Sequence, residues 1–299
     1  MAEPCSYFRP VLVRQHRGRI GEYIRITRDC FNWYTCQGPV KQYTKDCSQI
    51  MASSNRVEEL KQRFIALDGV YDESWEALAK LQPDYFEAYL NMQDVSQRRK
   101  RLSPKIQQFI YLSVAACCTH IHSPAVKAHT SAAIKLGATK EELFEVIGLT
   151  SLVGIHAVTQ GVPLLLELCE EFGLPGAAEG PGVAEERERI KQDFIKKRGF
   201  WTDTWNPLLQ MDAPFFESYT KFSTQSYVGP LEPKDREIIV CAFDAATTHL
   251  YNRGTKIHMR NAIKLGATPE ELMEMLEITS LMGMHGVTNA AKILADQLG

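Results

Sequence analysis

Six of the chain's eight histidines fall into register: His120 with His249, His129 with His258, and His156 with His285. Only His16 and His122 lack a counterpart. Imidazole gains and loses its proton near neutral pH, so a repeated histidine set suits general acid–base work or metal ligation. The surroundings repeat too. Thr-His-Ile at 119–121 returns as Thr-His-Leu at 248–250, and Gly-x-His-x-Val occurs at 154–158 and 283–287. Where the copies differ, the second is the more polar. Glu237 stands opposite Gln108, and Asp244, Tyr251 and Arg253 stand opposite Ala115, His122 and Pro124. Glu237 precedes His249 by one helix and a turn, within reach of one pocket. A carboxylate there can orient an imidazole or act as acid or base. Arg253 offers a planar fork for a substrate carboxylate, and equally suits a solvated loop. Duplication also preserves packing residues, so each histidine pair equally fits a buried imidazole bonded to a carbonyl.

The elements that position these residues follow from the duplication itself. Shifting the chain by 129 lays Lys127–Thr159 on Lys256–Thr288 with 20 of 33 positions identical. Upstream the shift becomes 130, matching Phe64 to Phe194, Gly69 to Gly199, Trp75 to Trp205 and Phe86 to Phe216. Residues 56–170 and 186–299 are therefore read as two repeats. A Gly/Pro-rich linker over 171–185 joins them, and residues 1–55 form an extension without a clear pattern. Helix signals dominate. Pro104 and Pro233 suit first helical turns, and Gly137 and Gly266 suit C-caps. Thr139 with Glu142, and Thr268 with Glu271, match the capping box. Strand signals are absent, so an all-α fold of two tandem modules is expected. Gly154 and Gly283 are expected at close helix contacts.

The string Ala-Ile-Lys-Leu-Gly-Ala-Thr-x-Glu-Glu-Leu occurs at 133–143 and again at 262–272. Each copy follows a histidine, His129 or His258, and the second is preceded by the helix start Pro233-Lys-Asp-Arg-Glu237-Ile-Ile. This pattern resembles the carboxymuconolactone decarboxylase family, which includes the alkylhydroperoxidase-D-like proteins. The resemblance covers both repeats. It implies helical modules that associate, active sites near module interfaces, and a homo-oligomer, with a trimer of two-repeat chains favoured. It also implies a functional histidine at 129 and 258 and an acidic residue at 237. The peroxidase branch carries Cys-x-x-Cys before that histidine. Here those positions hold His122 and Ala125 in one copy, and Tyr251 and Gly254 in the other. Dithiol peroxide reduction is therefore not expected.

Composition removes other classes. The chain has 299 residues, 44% hydrophobic and 23% charged, with a formal net charge of −2. That balance gives no reason to expect nucleic acid or an anionic membrane as partner. No apolar run is read as reaching the ~20 residues of a membrane span. The N-terminus lacks a secretory core, and eight cysteines without a Cys-x-x-Cys pair fit a reducing, cytoplasmic setting.

The expected function is a cofactor-independent enzyme acting by decarboxylation or a related proton-shuttling step on a small carboxylated aromatic, lactone or polyketide-derived substrate. The candidate catalytic residues are His258, His249, Glu237, His129 and His120. The candidate substrate-binding residues are Tyr251, Arg253, His285, His156 and His122. No metal is expected. The alternatives are a metal-dependent enzyme using His120, His129 and His156 or their counterparts, and a non-catalytic binding or scaffold subunit.

Overall fold

The computed structural model describes residues 40–67, 69–177 and 179–298, with side chains from residue 53 onward. Residues 1–39 of the N-terminal extension lie outside the described residues. Every regular element among the described residues is helical. In chain order they are α1 (Val40–Ala66), α2 (Glu73–Leu81), α3 (Pro83–Arg99), α4 (Pro104–Ala116), α5 (Ser123–Lys135), α6 (Lys140–Thr150) and α7 (His156–Glu171). The second repeat supplies α8 (Val183–Arg198), α9 (Asn206–Met211), α10 (Ala213–Gln225), α11 (Pro233–Ala245), α12 (Asn252–Lys264), α13 (Pro269–Ser280) and α14 (Met284–Leu298). α1 begins at Val40, inside the stretch that showed no pattern in sequence.

The local signals act as read. Pro104 and Pro233 open α4 and α11. Gly137 and Gly266 take φ of 82° and 95°, left-handed values that end α5 and α12. Thr139 and Thr268 accept from the Glu142 and Glu271 backbone N–H, and those glutamates accept from the threonine N–H in return, closing both capping boxes. Gly154 and Gly283 face open space within the chain, where a Cβ at either would meet nothing within 4 Å.

Residues 52–299 form one compact unit in which the repeats share a core. α4 and α6 of the first repeat pack with α11 and α13 of the second, burying Phe109, Ile110, Leu149, Ile239, Phe243 and Met275. α11 is central: its nine consecutive residues Arg236–Asp244 are all buried. Two smaller clusters cross between the repeats. Met284 and Ala291 of α14 pack on Leu60, Phe64, Leu78 and Phe86 of α1–α3. Ile155, just before α7, packs on Ile190, Phe194, Leu208 and Phe216 of α8–α10. Each repeat thus sends its last helix onto the other's first helices. Paired glutamates brace this exchange. Glu145 of α6 accepts from Arg236 Nε (2.6 Å) and the Leu231 N–H, while Glu274 of α13 accepts from Gln107 Nε2 (2.8 Å) and the Arg101 N–H.

The continuous run Lys140–Glu171 contains an 18-residue window of mean hydropathy 1.5, long and apolar enough to cross a membrane. This corrects the expectation that no run is so apolar. The run is α6, a 3-10 turn and α7 joined end to end. Its inner face (Val146, Leu149, Leu152, Val153) belongs to the shared core, while Phe144, Leu164, Leu165 and Leu168 are exposed.

Candidate active site

Two cavities result from the crossed packing, and each is lined by both repeats. The first is built on α11 and α12. Glu237 and Asp244 lie seven residues apart on α11, so two helical turns place them on one face. Glu237 Oε2 is 2.7 Å from His258 Nδ1 of α12 and 3.1 Å from Asn261 Nδ2, one turn further on. A carboxylate only accepts, so Nδ1–H of His258 is the donor. The other nitrogen, Nε2, faces the cavity and lies 3.9 Å from Asp244 Oδ2.

His249 sits in the turn between α11 and α12. Leu250 takes φ of 48° there, and Ile121 takes 46° at the equivalent turn of the first repeat. Left-handed backbone is uncommon for such side chains and unfavourable above all for β-branched isoleucine. It lets the chain reverse: the Tyr251 N–H returns to the Asp244 carbonyl, as His122 N–H returns to Ala115. The reversal holds His249 Nε2 at 2.6 Å from Nδ1 of His156, which arrives on α7 from the other repeat. The Tyr251 ring packs on His156 at a 30° tilt (centroids 3.9 Å apart), and its hydroxyl is 3.4 Å from Thr159 Oγ1. Asp244 is fully buried, and neither carboxylate oxygen has a hydrogen-bond partner.

Arg198, the last residue of α8, completes the cavity lining. Its guanidinium carbon lies 3.3 Å from the centroid of the Tyr227 ring. Its Nε and Nη1 are buried without a hydrogen-bond partner. A buried guanidinium with free donors invites a planar anion. Sequence reasoning assigned that role to Arg253, which instead stands exposed on the first turn of α12, outside the lining of either cavity. The signal for Arg198 was nonetheless present: the shift of 130 that pairs Gly199 with Gly69 sets Arg198 opposite Asp68, a reversal of charge between the copies.

The second cavity repeats the plan with weaker polarity. Gln108 Oε1 accepts from His129 Nδ1 (2.8 Å), and Tyr111 stacks on His129 at 4.5 Å. His120 Nε2 is 2.8 Å from His285 Nδ1, again across the repeats. His122 stacks on His285 at 4.2 Å, caps α5 by accepting from the Ala125 N–H, and contacts Asn289 Oδ1. Ala115 takes the place of Asp244.

One residue sets the charge state of each cavity. Burial depresses His258, but the Glu237 charge, its hydrogen bond and Asp244 outweigh that, and its pKa is raised. Burial raises Glu237, but His258 and Asn261 bring it below the usual carboxylate range. The two form an ion pair. His129, facing an uncharged amide, is pushed down to about 3 by burial, with His122 adding to the effect. Burial and neighbouring imidazoles also push His156 and His285 to about 3. Burial lifts Asp244 to about 7 against the pull of His258. Two buried thiols are held protonated: burial pushes Cys241 up to about 12 and raises Cys117 as well.

Fold and site together define an all-α, two-repeat protein whose cavities pair an imidazole of one repeat with an imidazole of the other, and carry one buried His–Glu ion pair. The family model for the carboxymuconolactone decarboxylase family matches residues 83–165 and 213–297, more than half of the chain, and the chain belongs to that family. A crystal structure from Burkholderia xenovorans LB400, of a protein provisionally described as a gamma-carboxymuconolactone decarboxylase subunit, superposes with a TM-score of 0.77 at 43% sequence identity. The match covers 81% of this chain and 97% of that one. No curated protein matches the chain.

Proposed function

We propose that this chain is an enzyme that decarboxylates, or moves a proton on, a small carboxylated aromatic, lactone or polyketide-derived compound. The working site is the cavity of His258, Glu237 and Arg198. The observation that carries this reading is the 2.7 Å contact between Glu237 and His258, buried beside a guanidinium whose Nε and Nη1 have no hydrogen-bond partner.

The chemistry follows from the donors available. Breaking the C–CO2 bond leaves its electron pair on carbon, as a carbanion or enolate. Nε2–H of His258 delivers a proton to that carbon, while Nδ1–H stays on Glu237. The ring is then neutral and recovers its proton from solvent. Arg198 binds a group that stays on the substrate, a second carboxylate or the carbonyl that becomes the enolate oxygen. A guanidinium on the departing carboxylate would oppose the step, because that charge drains away as CO2 forms. The first-repeat cavity keeps the shape without the acid: His129 is neutral and has only Gln108 to lean on.

The test is a panel of aromatic and lactone carboxylic acids followed by mass spectrometry for CO2 loss and for deuterium uptake from heavy water. His258→Ala and Glu237→Gln should each lower turnover by ~10²–10⁴ in a folded protein, the usual cost of losing a general acid or its partner. His129→Ala should leave turnover near the parent value. Full turnover in both second-repeat variants would remove the acid–base reading.

A further inference from the structure

We infer that His156, His249 and Asp244 form a binding site for one divalent transition-metal ion of the zinc class, built across the two repeats beside the proposed proton donor. One donor atom from each residue lies within 4.8 Å of the other two. His156 Nδ1 is 2.6 Å from His249 Nε2 and 3.9 Å from Asp244 Oδ1. Two imidazole nitrogens and a carboxylate oxygen are the protein ligands of an open zinc site, which keeps a further position for water or substrate. Metal–ligand bonds of ~2.0–2.1 Å put tetrahedral donors roughly 3.3 Å apart. The two nitrogens would therefore part by about 0.7 Å, and the carboxylate would close by about 0.6 Å on His156 and by up to about 1.5 Å on His249.

Asp244 is the independent observation. It is fully buried, and both its oxygens lack a hydrogen-bond partner. An orphaned buried carboxylate is costly, and coordination is one of the few ways to satisfy it. Gly254 packs against the carboxylate: a Cβ there would run into Asp244 Oδ2, so only glycine lets the carboxylate occupy this position. The first repeat is a built-in comparison. It keeps the crossed histidine pair, His120 with His285 at 2.8 Å, but has Ala115 where the carboxylate would be. The sequence expectation of no metal weighed three histidines within one repeat; the fold draws the ligands from both. The inference stands apart from the decarboxylation reading, since a metal can bind whatever the substrate.

The test uses the full chain, stripped with chelator and titrated with Co2+ or Zn2+, read by calorimetry and by the visible Co2+ spectrum. One ion per chain is expected, with the absorption of low-coordinate cobalt. His249→Gln, in a partly exposed turn, and Asp244→Asn should each weaken binding by at least roughly tenfold. His120→Gln should not. If Asp244→Asn loses its helical circular dichroism, His249→Gln and the cobalt spectrum of the parent still decide. Absence of saturable binding, or binding unchanged in His249→Gln, or binding lost equally in His120→Gln, overturns the site.

Discussion

The Glu237 carboxylate lies 2.7 Å from His258 Nδ1, buried on the central helix of the fold. Its counterpart, Gln108, makes the same contact with His129 at 2.8 Å. The geometry is conserved between the halves and only the charge differs. In a site of low dielectric that charge, with Asp244 behind it, favours the protonated imidazole. The duplication therefore left two similar cavities whose histidines shift in opposite directions, and the proposed acid is on the side that carries the carboxylate.

Arg198 should govern substrate affinity. Replacing it with alanine should raise KM for carboxylated substrates roughly 10–100-fold, the worth of charged hydrogen bonds at ~1.5–3 kcal/mol. Arg198→Lys should recover only part, because the planar fork is lost. Arg253→Ala, on the exposed face, should change neither kcat nor KM. An Arg253 effect with none at Arg198 would reverse the assignment.

The Glu145–Arg236 pair should matter for stability rather than turnover. Both side chains are nearly inaccessible, at 2% and 10%. Glu145→Ala leaves a buried guanidinium without its partner and should cost about 3–5 kcal/mol in denaturant unfolding. Glu145→Met with Arg236→Leu should lose much less. A single variant as stable as the parent would show that the brace contributes nothing.

Acidification should destabilise the protein through its buried imidazoles. His129, His156 and His285 sit at about 3 when folded, against the ordinary imidazole value of 6.5. Between those values the unfolded chain binds more protons, so their stabilisation is complete above pH ~6.5 and declines as pH falls toward ~3. Glu237, lowered by its partner, adds a loss in the same direction at still lower pH, whereas His258, raised, weakens the fold only on the alkaline side. Unfolding free energies at pH 7 and pH 5 should show the decline, with a shallower slope in His129→Gln. Stability that is flat or rises on acidification would contradict it.

The exposed apolar side chains on the outer face of α7 should be covered by other copies of the chain. Leu164, Leu165 and Leu168 are 58%, 46% and 48% exposed, and Phe172 follows at 67%. Sedimentation should give a species of about three chains, dissociated by Leu168→Glu with Phe172→Glu. A monomer at micromolar concentration would remove the association.

Much of this was legible in residues. The capping boxes, the proline helix starts and the repeat register act over a few positions, and the structure shows each where it was read. That Glu237 and His258 share a pocket was legible, because they lie in adjacent helices of one repeat; that Glu237 bonds His258 and not His249 was not. The partners of His120 and His249 were not. Each bonds a histidine of the other repeat, 165 and 93 residues away, because α7 and α14 cross over. No local pattern encodes that exchange. Arg198 was missed for a related reason: it ends a highly charged helix, where its charge reversal against Asp68 reads as one more solvated cation until the cavity is seen.

The most direct test of the account is the protonation state of His258. In chelator-treated protein carrying labelled histidine, with the signal assigned by its loss in His258→Gln, nuclear magnetic resonance reads the ring nitrogens directly. The account predicts an imidazolium at pH 7 in the parent and a neutral ring in Glu237→Gln, matching His129 in both. A His258 that is neutral in the parent, or that keeps its proton unchanged without Glu237, would contradict it.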